Sequence, residues 1–283
     1  NLFRHLKYRE LPIEQIEEEL KRVRDLNGRP KKIFLGDGNA FGLKTEKLYE
    51  ILDRIEYYFP ECEGVNMDAT VTSILHKSQE ELEMLVAKKV KHLYLGIESG
   101  LDDVLKFMKK DHDLGQAYQA IDRLHEAGLI YDAHIMTGVA GKGRGMENAE
   151  ALAQFLNRTN PAHVVNFSMF LHKEVPLYED IRQGTFVPAD ELETIREEYH
   201  LIERIAPEKA GANILYDGFH DFIHVRVRGH LPGDKEKMLA KLSGIIQEYE
   251  GKEPVYSFVQ GECPDLEYCD DGKAVWDMDR KTS

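Results

Sequence analysis

Apolar residues in the first 170 positions fall into short runs that alternate with stretches of helical spacing. Ile13, Ile16, Leu20 and Val23 recur behind Pro12, and Asn27-Gly28 closes that stretch, which predicts a helix. Lys32-Ile33-Phe34-Leu35 reads as a buried strand running into Gly36-Asp37-Gly38-Asn39. Leu48, Ile51, Leu52 and Ile55 mark a helix over 45–58, and 64–68 is a second short strand. Ser78 and Glu81 have capping-box spacing in front of a helix with Leu82, Leu85 and Val86 on it. The cycle repeats with a strand over 92–97, helices over 101–108 and 115–127, and Gly128 as a stop. A strand over 133–139, a glycine-rich loop over 141–145, a helix over 148–156 and a strand over 164–171 complete it. Such alternation predicts an α/β fold of parallel strands joined by right-handed crossovers.

Past Leu171 the rhythm breaks. A loop and short helix over 176–184, a long helix over 188–205 and a linker over 207–211 are expected, then a strand over 222–227 and a helix over 234–249. The tail over 251–283 is polar and has few periodic features. The expected organisation is a body over 1–206 and a C-terminal extension over 207–283.

Composition narrows the class. The 283 residues are 42% hydrophobic and 31% charged, ordinary for a globular chain, and no apolar run approaches the roughly 20 residues of a membrane span. The net charge of −14 opposes binding to nucleic-acid phosphates. Only three cysteines occur, Cys62, Cys263 and Cys269, a count that argues against a disulfide framework and for a reducing cytoplasm.

In parallel α/β folds, ligands bind where strand carboxyl ends meet loops. The polar residues expected there are Gly36, Asp37, Gly38 and Asn39; Asp68 and Thr70; Glu98; His134; and Asn166 with Ser168. The last two alternate with Val165, Phe167 and Met169, so they are expected to face an inner cavity. His220 and His224 lie four apart in a stretch that reads as a strand, where that spacing suits structural or substrate-facing roles better than chelation. The 141–145 loop lacks the Walker pattern and is read as a mobile loop over the cavity.

Gly36-Asp37-Gly38-Asn39-Ala40-Phe41, Leu95-Gly96-Ile97-Glu98-Ser99-Gly100 and the run from Asp102 to Lys110 follow one another in a recognisable order. Glu147-Asn148-Ala149, Asn160-Pro161, and Val175 to Ile181 with Gly184 and Phe186 extend the set. Together they resemble the radical S-adenosylmethionine (SAM) superfamily, in the branch of anaerobic coproporphyrinogen oxidase and the Elongator-type and methylthiotransferase enzymes. The resemblance implies a partial (β/α)6 TIM-like barrel with a C-terminal extension.

It also implies two cofactors, SAM and a [4Fe-4S] cluster held by a Cys-x3-Cys-x2-Cys loop. Reductive cleavage of SAM at that cluster would give a 5′-deoxyadenosyl radical, with electrons from a donor such as flavodoxin or ferredoxin. By this resemblance Gly36, Asp37 and Gly38 contact the methionyl amino group, and Glu98 accepts hydrogen bonds from the ribose. Asp68, Thr70, Asn39 and His134 face the cavity, and Asn166 and Ser168 lie near the adenine. No cysteine triplet occurs, and the resemblance places that loop just upstream of Asn1; Cys263 and Cys269 do not replace it. Catalytic residues and substrate stay open, and no metal ligand is expected in this chain. The rival readings are a cluster-free, barrel-derived binding or scaffold protein and, more distantly, a lyase or aldolase barrel, which would want a Lys or metal set at the strand ends.

Overall fold

A computed structural model describes residues 9–36 and 38–258, and the backbone of Glu267–Tyr268 and Ala274–Val275. The elements in chain order are α1 (Ile13–Asp25), β1 (Lys32–Leu35), α2 (Thr45–Tyr58), β2 (Gly64–Ala69), α3 (Val71–Leu75), α4 (Gln79–Ala87) and β3 (Val90–Glu98). Then come α5 (Asp102–Phe107), α6 (Leu114–Ala127), β4 (Ile130–Thr137), α7 (Gly145–Thr159), β5 (His163–Ser168), α8 (Leu177–Arg182) and α9 (Glu191–Arg204). The series ends with β6 (Ile214–His220), β7 (Val225–Leu231), α10 (Lys235–Tyr249), β8 (Glu267–Tyr268) and β9 (Ala274–Val275).

The fold is α/β. Strands β1 to β7 form one seven-stranded sheet in sequence order, with β1 and β7 as its edges, so it does not close. Pairs β1–β2, β2–β3 and β5–β6 are parallel, and β7 returns antiparallel against β6. The 222–227 expectation is corrected here. That stretch contains a 3-10 turn at Asp221–Ile223 and the start of β7, while β6, missed in the sequence, lies before it. Its apolar positions are interrupted by Asp217 and Gly218, which hides the strand from a periodicity reading.

Two compact units divide the described chain, one of 9–97 and 110–134, the other of 98–109 and 135–258. In the first, Gly128 ends α6 at φ 86° as expected, and the structure adds a capping box of Asp113 and Gln116 at its start. That helix buries Ala117, Ala120, Ile121 and Leu124, while β3 buries Leu93, Leu95 and Ile97. Each such leucine or isoleucine contributes about 1.5–3 kcal/mol of hydrophobic stabilisation. In the second unit α7 and α9 pack together, burying Leu152 and Leu156 of one and Ile195, Leu201 and Ile202 of the other.

Candidate functional site

Toward their carboxyl ends the strands of the first unit alternate. Val65, Met67, Leu93, Leu95 and Ala133 are buried, whereas Asn66, Asp68, His92, Tyr94 and His134 are half-buried on the opposite face. Asp68 is in register with Tyr94, whose ring lies 5.4 Å from those of both His134 and Phe34. Burial, with the charges of Asp132 and Asp68, raises the Tyr94 pKa. The expected Asp68 and His134 therefore share one polar and aromatic sheet face with Tyr94.

At the end of β1, Gly38 has φ 119°, a backbone region closed to most side chains. Asn39 follows, and its Nδ2 donates to Thr70 Oγ1 at 3.3 Å. Its Oδ1 is buried without a partner among the described residues, an acceptor suited to an ammonium or hydroxyl. Asn39, Thr45, Thr70, Thr72, His76 and Lys77 border a cavity of about 310 Å³. Lys77 is buried there, donating to Leu43 O at 3.0 Å and Thr45 Oγ1 at 3.3 Å, and burial lowers its pKa. Asp37 lies outside the described residues.

The second unit opens with Glu98, the last residue of β3, at φ 64°. A non-glycine residue there is uncommon and marks functional or strained positions. The turn after it is tightly held. Ser99 Oγ donates to Asn148 Oδ1 at 2.6 Å, Gly100 N donates to the same oxygen at 3.3 Å, and Leu101 N donates to Ser99 Oγ at 3.1 Å. The 141–145 loop is also tied down, because Arg144 donates to Asp103 at 2.7 Å and to Glu147 at 2.9 Å. That replaces the mobile loop expected from its glycines with one held between α5 and α7.

Three glutamates of α9, Glu191, Glu197 and Glu198, are 0–1% exposed. His220 sits between two of them, with Nδ1 2.9 Å from Glu191 and Nε2 3.1 Å from Glu198. Burial alone would lower the His220 pKa, but the hydrogen bonds and charges of both carboxylates outweigh it and raise it to about 10. Burial opposes ionisation of Glu191 as well, yet His220, Ser257 and Ser168 bring its pKa below the ordinary value. Glu197 takes no hydrogen bond from His220 and feels only its charge, the least of the effects on it. Burial pushes it up to about 8 against hydrogen bonds from Asn148 and Gly138. Tyr216 donates to Glu198 at 2.9 Å, and burial, then the charge of Glu198, holds its phenol well above 10.

This cluster corrects the reading of β5. Asn166 Nδ2 donates to Glu198 at 3.1 Å while its Oδ1 accepts from Thr137 N at 3.1 Å, and Ser168 Oγ donates to Glu191 at 3.0 Å. Both side chains thus face α9 rather than an open cavity, and it is Phe167, stacked on Phe219 at 5.6 Å, that lies half-buried on the other face. The parity flips because buried carboxylates need hydrogen-bond partners and β5 supplies them. The glutamates were missed in the sequence. Their signal is three carboxylates on the helical face of Ile195, Leu201 and Ile202.

Among the described residues no group of three His, Cys, Asp or Glu could hold a metal. The one described cysteine, Cys62, is buried and donates toward Lys31 O and Gly64 O. These side chains do not fit an iron–sulfur cluster; Cys263 and Cys269 lie outside the described residues. No described helix is long and apolar enough to cross a membrane.

An open, mostly parallel sheet with polar groups at its strand ends defines the class as an α/β protein of partial-barrel type. The Radical SAM superfamily profile matches residues 3–156, more than half of the chain, and the protein belongs to that superfamily. A tRNA uridine(34) acetyltransferase of Methanocaldococcus infernus is 26% identical over 119 residues, covering 42% of this chain and 22% of that protein. Heme chaperone HemW of Bacillus subtilis is 22% identical over 172 residues, covering 60% of this chain and 45% of that protein. The chain thus spans less than half the length of either relative. The solved structure of the archaeal Methanocaldococcus infernus Elp3 with an N-terminal deletion shares the fold. Its TM-score is 0.53 at 19% identity, with 69% of this chain and 50% of that one covered.

Proposed function

We propose that this chain is the SAM-binding body of a radical enzyme, acting on a substrate that its residues do not yet name. Glu98 carries the reading: a carboxylate held at φ 64° on the end of β3, where the family resemblance expects the SAM ribose. Two hydroxyls of a ribose suit a carboxylate acceptor. The Gly36 to Asn39 strand end would receive the methionyl ammonium, with the buried Asn39 Oδ1 as one acceptor. Asp68, Tyr94 and His134 would offer polar contacts from the half-buried sheet face. In this superfamily a [4Fe-4S] cluster supplies the electron for reductive SAM cleavage, and a flavodoxin- or ferredoxin-type donor is the partner proposed. None of the described residues is assigned to that cluster.

The test uses protein expressed from its complete reading frame and reconstituted anaerobically with iron and sulfide. SAM binding, and 5′-deoxyadenosine formed under dithionite, are the expected results. Absence of both would overturn the reading.

A further inference from the structure

Glu98 holds a strained backbone, and such a conformation persists only when its surroundings over-determine it. Those surroundings form one chain of hydrogen bonds through buried groups. Gly138 N donates to Glu197 Oε2 at 2.8 Å, Asn148 Nδ2 donates to Glu197 Oε1 at 2.7 Å, and Asn148 Oδ1 accepts from Ser99 and Gly100. Ser99, Asn148 and Glu197 are each 0–1% exposed, so water does not substitute. The polarity of the chain matters. Ionised, above its pKa of about 8, Glu197 accepts on both oxygens, which obliges Asn148 to present its NH2 to Glu197 and its oxygen to the turn. With the amide flipped, an N–H would face the Gly100 N–H. The backbone of the turn also lies directly on α7, since a Cβ at Gly100 would meet Ala151 C and Leu152 N at 2.5 Å.

We infer that Glu197 is a positioning residue: by orienting Asn148 it fixes the Ser99-Gly100 turn, and with it the direction in which Glu98 presents its carboxylate. The consequence for SAM rests on the function proposed above; the effect on the turn does not.

Swapping acid and amide tests it. Glu197→Gln places an NH2 against either Asn148 Nδ2 or Gly138 N, so the turn loses its acceptor. Glu197→Gln combined with Asn148→Asp restores every pairing. The amide introduced on α9 can donate to the carboxylate introduced on α7, and that carboxylate can accept from Ser99 and Gly100. Amide hydrogen exchange over 98–101 in the full-length protein, at a pH above the Glu197 pKa of about 8, is the first readout, and SAM affinity by calorimetry at the same pH the second. Glu197→Gln is expected to speed Gly100 exchange and weaken SAM each by about tenfold or more, and the double variant to return both to within about threefold. Tyr216→Phe, which removes a bond to Glu198 in the same cluster, is expected to change neither. Unchanged exchange in Glu197→Gln, no rescue in a folded double variant, or an equal effect of Tyr216→Phe would each overturn the inference. Exchange that responds while SAM affinity does not would instead reject the role given to Glu98. If Glu197→Gln does not accumulate, Asn148→Ala removes the next link, and unaltered Gly100 exchange there is equally fatal.

Discussion

His220 lies between Glu191 and Glu198, 2.9 Å from one and 3.1 Å from the other, with all three side chains closed off from solvent. One imidazolium thus serves two carboxylates from opposite ring nitrogens. Removing one member of a buried ion pair costs about 3–5 kcal/mol, because the other charge stays buried. His220→Leu leaves two carboxylates so exposed to low dielectric. A loss of that size in urea unfolding at neutral pH is expected, and a loss below about 1 kcal/mol would contradict the ion triad.

The same groups set a pH dependence. His220 has its pKa raised to about 10 in the folded protein, so its contribution is complete below the unfolded value near 6.5 and is lost as pH rises toward 10. Glu197, raised to about 8, is protonated in the fold but ionised in the unfolded chain from pH 4.5 upward, so it too lowers stability as pH rises to 8. Each group contributes a slope of up to about 1.4 kcal/mol per pH unit. Urea midpoints should therefore fall between pH 6.5 and 8, and Glu197→Gln should make that fall shallower. A midpoint that rises over this interval would refute both assignments.

Gly218 is the small residue that lets Glu198 reach the histidine. A Cβ at that position would overlap Glu198 Oε1, inside a layer with no space to yield. Gly218→Ala should cost about 3 kcal/mol or more, beyond ordinary overpacking, because it displaces a buried charge from its partners. Thermal unfolding measures it, and a variant with an unchanged midpoint would show that Glu198 sits elsewhere.

Glycine at position 98 separates stability from binding. Glu98→Gly relieves a left-handed backbone while adding chain entropy to the unfolded state, so the two effects nearly offset. The variant should stay folded, whereas SAM affinity should drop by about tenfold or more if the carboxylate holds the ribose. Calorimetry on folded protein decides between a ligand role and a purely structural one.

Gly100→Ala tests the packing behind that turn. The added methyl would meet the α7 backbone at Ala151 and Leu152, which cannot rotate away as a side chain would. Loss of about 1–3 kcal/mol is expected, together with faster amide exchange at Ser99 to Leu101. An unaltered exchange pattern would mean that the turn is not pressed against the helix.

Much of this was legible in the chain itself. The helical spacing of Leu48, Ile51, Leu52 and Ile55, the Ser78–Glu81 capping box, and Gly128 determined α2, α4 and the end of α6, because caps and apolar stripes are local chemistry. The β–α alternation determined a parallel α/β sheet, since short parallel pairs require helical crossovers. The order of the glycine and acidic segments pointed to the superfamily that the residue 3–156 match establishes. Tertiary structure decided the rest. Periodicity tells that Asn166 and Ser168 share a face of β5 but not which layer covers it, and α9, more than twenty residues further on, turned that face into a buried polar one. Nor could spacing show that Glu197 reaches Asn148, Gly218 admits Glu198, or Glu98 bends into the left-handed region. Those relationships arise only when distant segments are brought within hydrogen-bond distance out of water, where each buried charge must find a partner.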